Sequence, residues 1–158
     1  MKKIILLIFL SVFLIRGYSQ SDRLPDPQAF FMAIIVSDID SSLAWYKHHL
    51  GFETLNRIDR PDRGFSQANL KRGKASIEII ELNSALLPDE ILADRPPRTR
   101  IAGFFKFGFA VKKFDKWMAH LNATGVNFNG EVVKDPNTDK KMIILLDPDG
   151  NRIQLFEK

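Results

Sequence analysis

The chain has 158 residues, with 23 lysines and arginines against 19 acidic residues, a formal charge of +4, and no cysteine. Without cysteine there is no disulfide, no thiolate nucleophile and no Cys-based zinc site. The basic excess is no pointer to nucleic acid, which needs a basic stripe or patch: Lys2, Lys3 and Arg16 lie in a removable leader, and the rest then carries 20 basic against 19 acidic residues.

In chain order, Lys2 and Lys3 precede an apolar run from Ile4 to Leu10 that continues through Ser11 to Ile15, and Gly17 and Ser19 follow Arg16. A short basic start, an apolar stretch of about 7–15 residues and small residues at a cleavage point describe a secretory signal peptide. Residues 1–20 are therefore expected to direct export, to the periplasm or beyond, with cleavage after Ser19 or Gln20. The run falls short of the roughly 20 residues that span hydrocarbon, so no stable membrane anchor is expected after cleavage, and the absence of Cys excludes a lipid-anchored bacterial form. Residues 21–158 are expected to make one domain, a length that buries roughly two-thirds of its unfolded surface.

After an extended lead-in, a first module runs over about residues 29–83. The alternating strand Phe30–Val36 leads into a helix with Ile39, Leu43, Tyr46 and Leu50 on one apolar face. Asp38 is its expected N-cap and Gly51 its expected left-handed stop. Strands are predicted at Phe52–Ile58, Phe65–Leu70 and Ala75–Leu82. Residues 84–103 break the pattern with Pro88, Pro96, Pro97, Arg95, Arg98 and Arg100. They read as a solvated linker or, alternatively, as arginines that guard a cleft and meet an anionic ligand. A second module, about residues 104–158, repeats the plan. Phe104–Val111 opens it, and a helix carries Phe114, Trp117, Met118 and Leu121 on one face to a stop at Gly125. Strands follow near Val126–Val133, Met142–Leu146 and Arg152–Phe156, with Asp147-Pro148-Asp149-Gly150-Asn151 as a tight turn. Two tandem βαβββ modules predict an α+β domain with a cleft shared between the copies.

These residues resemble the vicinal oxygen chelate superfamily of glyoxalase I, bleomycin-resistance proteins and extradiol dioxygenases. The resemblance rests on Ile35-Val36-Ser37-Asp38-Ile39, Ser42-Leu43-Ala44-Trp45-Tyr46, Leu50-Gly51-Phe52 and Leu146 through Leu155. It implies the fold and says little about the reaction, since one fold hosts many activities. Metal-dependent members hold a metal with one ligand from the opening strand and one from the closing strand of each module. Aligned on Val36-Ser37-Asp38, those positions carry Phe31, Glu78, Lys106 and Gln154. Phe31 cannot ligate and Lys106 is a cation, so no metal and no other cofactor is expected. His48, His49 and His120 lie on predicted helices, away from the ligand strands, where a helix terminus or the surface accounts for them.

Strand alternation puts Phe105, Phe107, Phe109 and Val111 on one face and Lys106, Gly108 and Ala110 on the other. By the same parity Phe31 and Ile35 face the cleft. Two readings of Lys106 stand side by side. Its ammonium takes the metal's place and pairs with Glu78, an attraction of roughly 4 kcal/mol at an effective dielectric near 20 that desolvation offsets; or it extends to the cleft mouth and meets only water.

The leading functional expectation is an exported, metal-free protein that binds a small organic molecule in the cleft. Phe31, Ile35, Ile80 and Phe156 supply contact area, while Glu78, Lys106 and Gln154 orient the ligand. The alternative is a lyase, isomerase or dioxygenase of the same superfamily, either metal-dependent or using Glu78 as general base with Lys106 stabilising an enolate. A third class is an interaction module. The family often assembles in pairs of chains, so a homodimer is compatible with this sequence, and no nucleic-acid partner is expected.

Overall fold

The structure, a computed structural model, describes residue 24, residues 27–96 and residues 99–158, and the expected signal segment lies outside them. The first sheet orders its strands β1-β4-β3-β2, with β1 Met32–Val36, β2 Glu53–Arg60, β3 Phe65–Arg72 and β4 Ala75–Leu82. β1 runs parallel to β4, and the other pairs are antiparallel. A parallel pair needs a crossover, and helix α1 (Ile39–Leu50) begins it. Linker helix α2 (Pro88–Leu92) follows, where only an irregular crossover was expected from three prolines. The second sheet repeats the order: β5 (Phe107–Val111) runs parallel to β9 (Arg152–Glu157), which pairs with β8 (Lys141–Leu146). Helix α3 (Phe114–Thr124) follows β5, and the short strands β6 (Asn127–Phe128) and β7 (Val133–Lys134) both pair with β8.

Local chemistry explains where α1 begins and ends. The Asp38 carboxylate accepts from the Ser41 amide at 2.7 Å, which satisfies one of the free donors of the first turn. Gly51 sits at φ 61°, ψ 34°, and its amide returns to the Lys47 carbonyl at 3.0 Å, a conformation that glycine adopts without strain. Between these ends Ile39, Tyr46 and Leu50 are buried, as the spacing requires. Ser42 shares the buried face, and its hydroxyl has no partner among the described residues. Ser42→Ala removes an unpaired polar group and improves helix propensity. The expected gain is about 1 kcal/mol, read as a rise of a few degrees in melting temperature.

Strand burial alternates as predicted. Ile34, Val36, Ile77 and Ile79 join the core in the first module, and Phe107, Val111, Ile153 and Leu155 do so in the second. One apolar cluster spans both modules. Three expectations are corrected. The strand expected over Val126–Val133 is two two-residue pieces, broken at Asn129-Gly130 where Gly130 takes φ 96°. Phe104, Phe105 and Lys106 precede β5 rather than opening it. Phe105 is therefore 57% exposed instead of packing with Phe107 and Val111.

The modules meet through their helices and one turn. His49 Nδ1 lies 3.0 Å from the Thr124 hydroxyl, and His120 Nε2 lies 3.0 Å from the His49 carbonyl. Burial lowers the pKa of His49, and the charges of His48 and His120 push it the same way. The Tyr46 hydroxyl donates to Asp147 at 3.1 Å, and the Ser37 amide donates to Asp149 at 3.1 Å. Among the described residues, no helix is long and apolar enough to cross a membrane.

Candidate functional site

Each sheet has one face under its helix and one face turned away from it. On the open face of the first sheet the register aligns Ala33 with Glu78 and Ile35 with Ile80, and continues to Asn69 and Gln67 on β3. The Gln67 amide donates to the Glu78 carboxylate, and Asn69 donates to Asn56 at 2.8 Å. Gln67 stands beside Ile80 in one direction and Ile58 in the other. Ile35 and Ile58 are both large and exposed. Ile35, Ile80 and Ile58 therefore share one row with Gln67, beside a polar row of Glu78, Asn69 and Asn56.

The second sheet places Gly108 beside Gln154 and Ala110 beside Phe156. The duplication thus gives Glu78 and Gln154 equivalent positions, each flanked by a small residue of the opening strand. Gly108 is small for a steric reason, because a Cβ there meets the Gln154 carbonyl oxygen at 2.6 Å. The Gln154 amide nitrogen lies 2.8 Å from the Met142 sulfur. Phe31 precedes β1, half-exposed, with its ring edge-on to Phe30 at 5.4 Å.

Lys106 lies apart from these residues. It lines a cavity of about 640 Å³ at the end of the second sheet, beneath the linker. Ile34 of the first module, Phe104, Phe105, Leu146 and linker residues Leu87, Leu92 and Ile101 supply apolar wall. Arg100, Arg152 and the turn from Asp147 to Asn151 supply the polar part. The modules therefore do share a cavity, but of the expected ligand-binding residues Phe31, Ile35, Glu78, Ile80, Lys106, Gln154 and Phe156, Lys106 alone lines it. Of the two readings of Lys106, the ion pair with Glu78 is not formed among the described residues. Glu78 lies on β4 of the first sheet and is held by Gln67, whereas Lys106 precedes β5 of the second module on the cavity side.

Two residues that sequence reasoning missed shape this cavity. Arg152 lies across from Leu146 in the register, one row from Gln154. Its guanidinium sits 4.8 Å from the Phe105 ring centroid, and its Nε is buried without a partner among the described residues. Counting two residues back from Gln154 along the strand is the signal that finds it. Asp147 is only 4% exposed. Its carboxylate accepts from the Tyr46 hydroxyl, from the Asp149 and Asn151 amides at 3.1 and 2.8 Å, and from the Asn151 side chain at 2.9 Å. Burial raises its pKa above the usual carboxylate value against the pull of those donors.

Residues 29–155 match the profile of the Glyoxalase/Bleomycin resistance protein/Dioxygenase superfamily. The chain belongs to that superfamily. It is 32% identical over 127 residues to the uncharacterized protein YwkD of Bacillus subtilis, covering 80% of this chain and 94% of that protein. It is 32% identical over 132 residues to the uncharacterized protein YaeR of Escherichia coli, covering 83% of this chain and 96% of that one. Among solved structures it resembles the glyoxalase family protein from Enterococcus faecalis at 28% identity and a TM-score of 0.69, covering 82% of this chain and 97% of that chain.

The donor chemistry at the superfamily's ligand positions does not fit a divalent metal here. Phe31 offers no lone pair, Lys106 offers a cation with no acceptor, and Glu78 and Gln154 are already bonded to Gln67 and Met142. Borderline transition metals prefer imidazole or thiolate. Among the described residues no three His, Cys, Asp or Glu side chains gather closely enough to hold one.

Proposed function

We propose that this superfamily member is an exported, metal-free protein that binds a small organic anion in the cavity between its modules. Arg152 carries the reading. Its side chain lines the cavity together with Lys106 and Arg100, and its Nε has no partner among the described residues, so a carboxylate entering the cavity meets a cation whose donors are not all committed. The apolar wall of Phe104, Phe105, Leu146 and Ile101 suits the ligand's body, and about 640 Å³ is ordinary for a small-molecule site. The exposed Ile35 and Ile58 on the open face of the first sheet support a second copy of the chain as a partner covering that face.

The test is a thermal-shift series on residues 21–158 with aromatic and aliphatic carboxylic acids against their amides, at fixed ionic strength. An acid present at a hundred times its Kd adds about 2.7 kcal/mol, several degrees of melting temperature, while its amide adds little. Equal shifts from acids and amides reject the anion. Metal content by mass spectrometry, before and after incubation with Ni, Zn, Mn and Fe(II), runs in parallel. Stoichiometric, chelator-removable metal rejects the metal-free reading and redirects work to lyase and dioxygenase assays.

A further inference from the structure

A second cavity, of about 450 Å³, lies on the helix side of the molecule, where the end of α1 and of β3 meets the start of α3. Arg72, Lys112, Lys113 and Lys116 line it, with His48 and His120 alongside, and no carboxylate does. Among the described residues none of these four cations pairs with an acidic side chain. Asp115, their nearest acidic neighbour in sequence, is engaged by Lys141 at 2.7 Å. Arg72 has partners of another kind: it donates to the Leu50 carbonyl and lies 4.5 Å from the Trp117 ring centroid. The three lysines remain available.

We propose that this cavity binds the phosphate group of a small molecule. Like charges lining one concave wall repel each other and focus a positive potential into it, so a compact dianion fits better than a neutral guest. A phosphate presents three terminal oxygens to several point-charge donors at once, the task lysine performs, whereas a carboxylate is saturated by fewer. Lys113, then Lys116 and Trp117, then His120 follow one another along one side of α3, so the helix presents a run of these groups to the same wall. The cavity is separate from the one under the linker and draws on none of its residues.

Trp117 forms part of the wall, so its emission reports occupancy. The mature chain is titrated with inorganic phosphate, and separately with phenyl phosphate, at ionic strength held constant with sodium chloride. Trp45→Phe assigns the signal to Trp117, the other of the two tryptophans. A saturable change, weakened at least tenfold in Lys113→Gln/Lys116→Gln, supports the site. Tighter binding of the ester by fivefold or more assigns a phosphomonoester rather than free phosphate. Both lysines are exposed, so the double variant is expected to keep its melting temperature. If it does not fold, Lys112→Gln/Lys116→Gln gives the same reading without touching Lys113, whose φ is 56°. A response that sodium chloride alone reproduces, or that survives undiminished in the variants, overturns the proposal.

Discussion

Asp147→Ala is expected to lower the melting temperature by about 10 °C, a loss of about 3 kcal/mol in a domain of this size. The Tyr46 hydroxyl is fully buried and donates to Asp147; stripped of its acceptor, it alone costs about 1–3 kcal/mol. The Asp149 and Asn151 amides lie at a partly exposed turn where water replaces the carboxylate at smaller cost. Tyr46→Phe is expected to cost less, about 1–2 kcal/mol, because Asp147 keeps three donors. The two losses should not add, since both variants break one bond; a double-mutant cycle by chemical denaturation measures the overlap. An additive cycle rejects the staple. The pH dependence has a definite sign. Burial raises the folded-state pKa of Asp147 above its unfolded value. Its protonation therefore contributes stability that is present below the unfolded pKa and is lost as pH rises through the folded one. Relative to Asp147→Asn, the wild type thus gains stability on acidification through that window, and Asp147 is not what drives acid unfolding.

This staple shows what a single sequence discloses and what it withholds. Asp38, Gly51 and the spacing of Ile39, Tyr46 and Leu50 specify α1 from local chemistry, and the structure places each as read. The Asp147–Asn151 turn was legible for the same reason. That Tyr46 and Asp147 touch was not, because the bond joins two locally complete motifs 101 residues apart. Glu78 and Gln154 were found by the repetition of the closing strand and by the family resemblance, whereas parity assigned the strand faces and survives wherever a strand is regular. It failed at Phe105, which lies before β5 begins, and across Asn129-Gly130, where a positive φ breaks the strand. A cavity shared by the modules was expected from the duplication, but most of its lining, and the whole of the second cavity, escaped the sequence for a related reason. Each is assembled from chain ends of elements, a linker over a sheet in one case and three element termini in the other, and no periodicity records that meeting.

The cavity beneath the linker gives the second large expectation. Once an organic acid is found that stabilises the protein, Lys106→Met and Arg152→Met should each weaken its binding at least tenfold. A charge-assisted hydrogen bond contributes about 1.5–3 kcal/mol, and about 1.4 kcal/mol is tenfold. Stability should move in the opposite sense or not at all. Lys106 is exposed and has no ion-pair partner among the described residues, so its loss leaves the melting temperature within about a degree; surface changes away from special features stay within about 0.5 kcal/mol. Arg152→Met removes a buried nitrogen that has no partner among the described residues and keeps most of the packing against Phe105. Its melting temperature should hold or rise slightly. This split between affinity and stability separates a ligand-facing pair from a structural one. Had Lys106 neutralised Glu78 in the folded chain, Lys106→Met would leave a part-buried carboxylate unpaired and cost several kcal/mol. Glu78→Gln is the matching control. Its carboxylate accepts from Gln67 on the open face, outside the cavity, so the change should leave affinity for the acid unaltered. If Glu78→Gln instead weakens binding as strongly as Lys106→Met, the ligand sits on the open face and the cavity assignment is wrong.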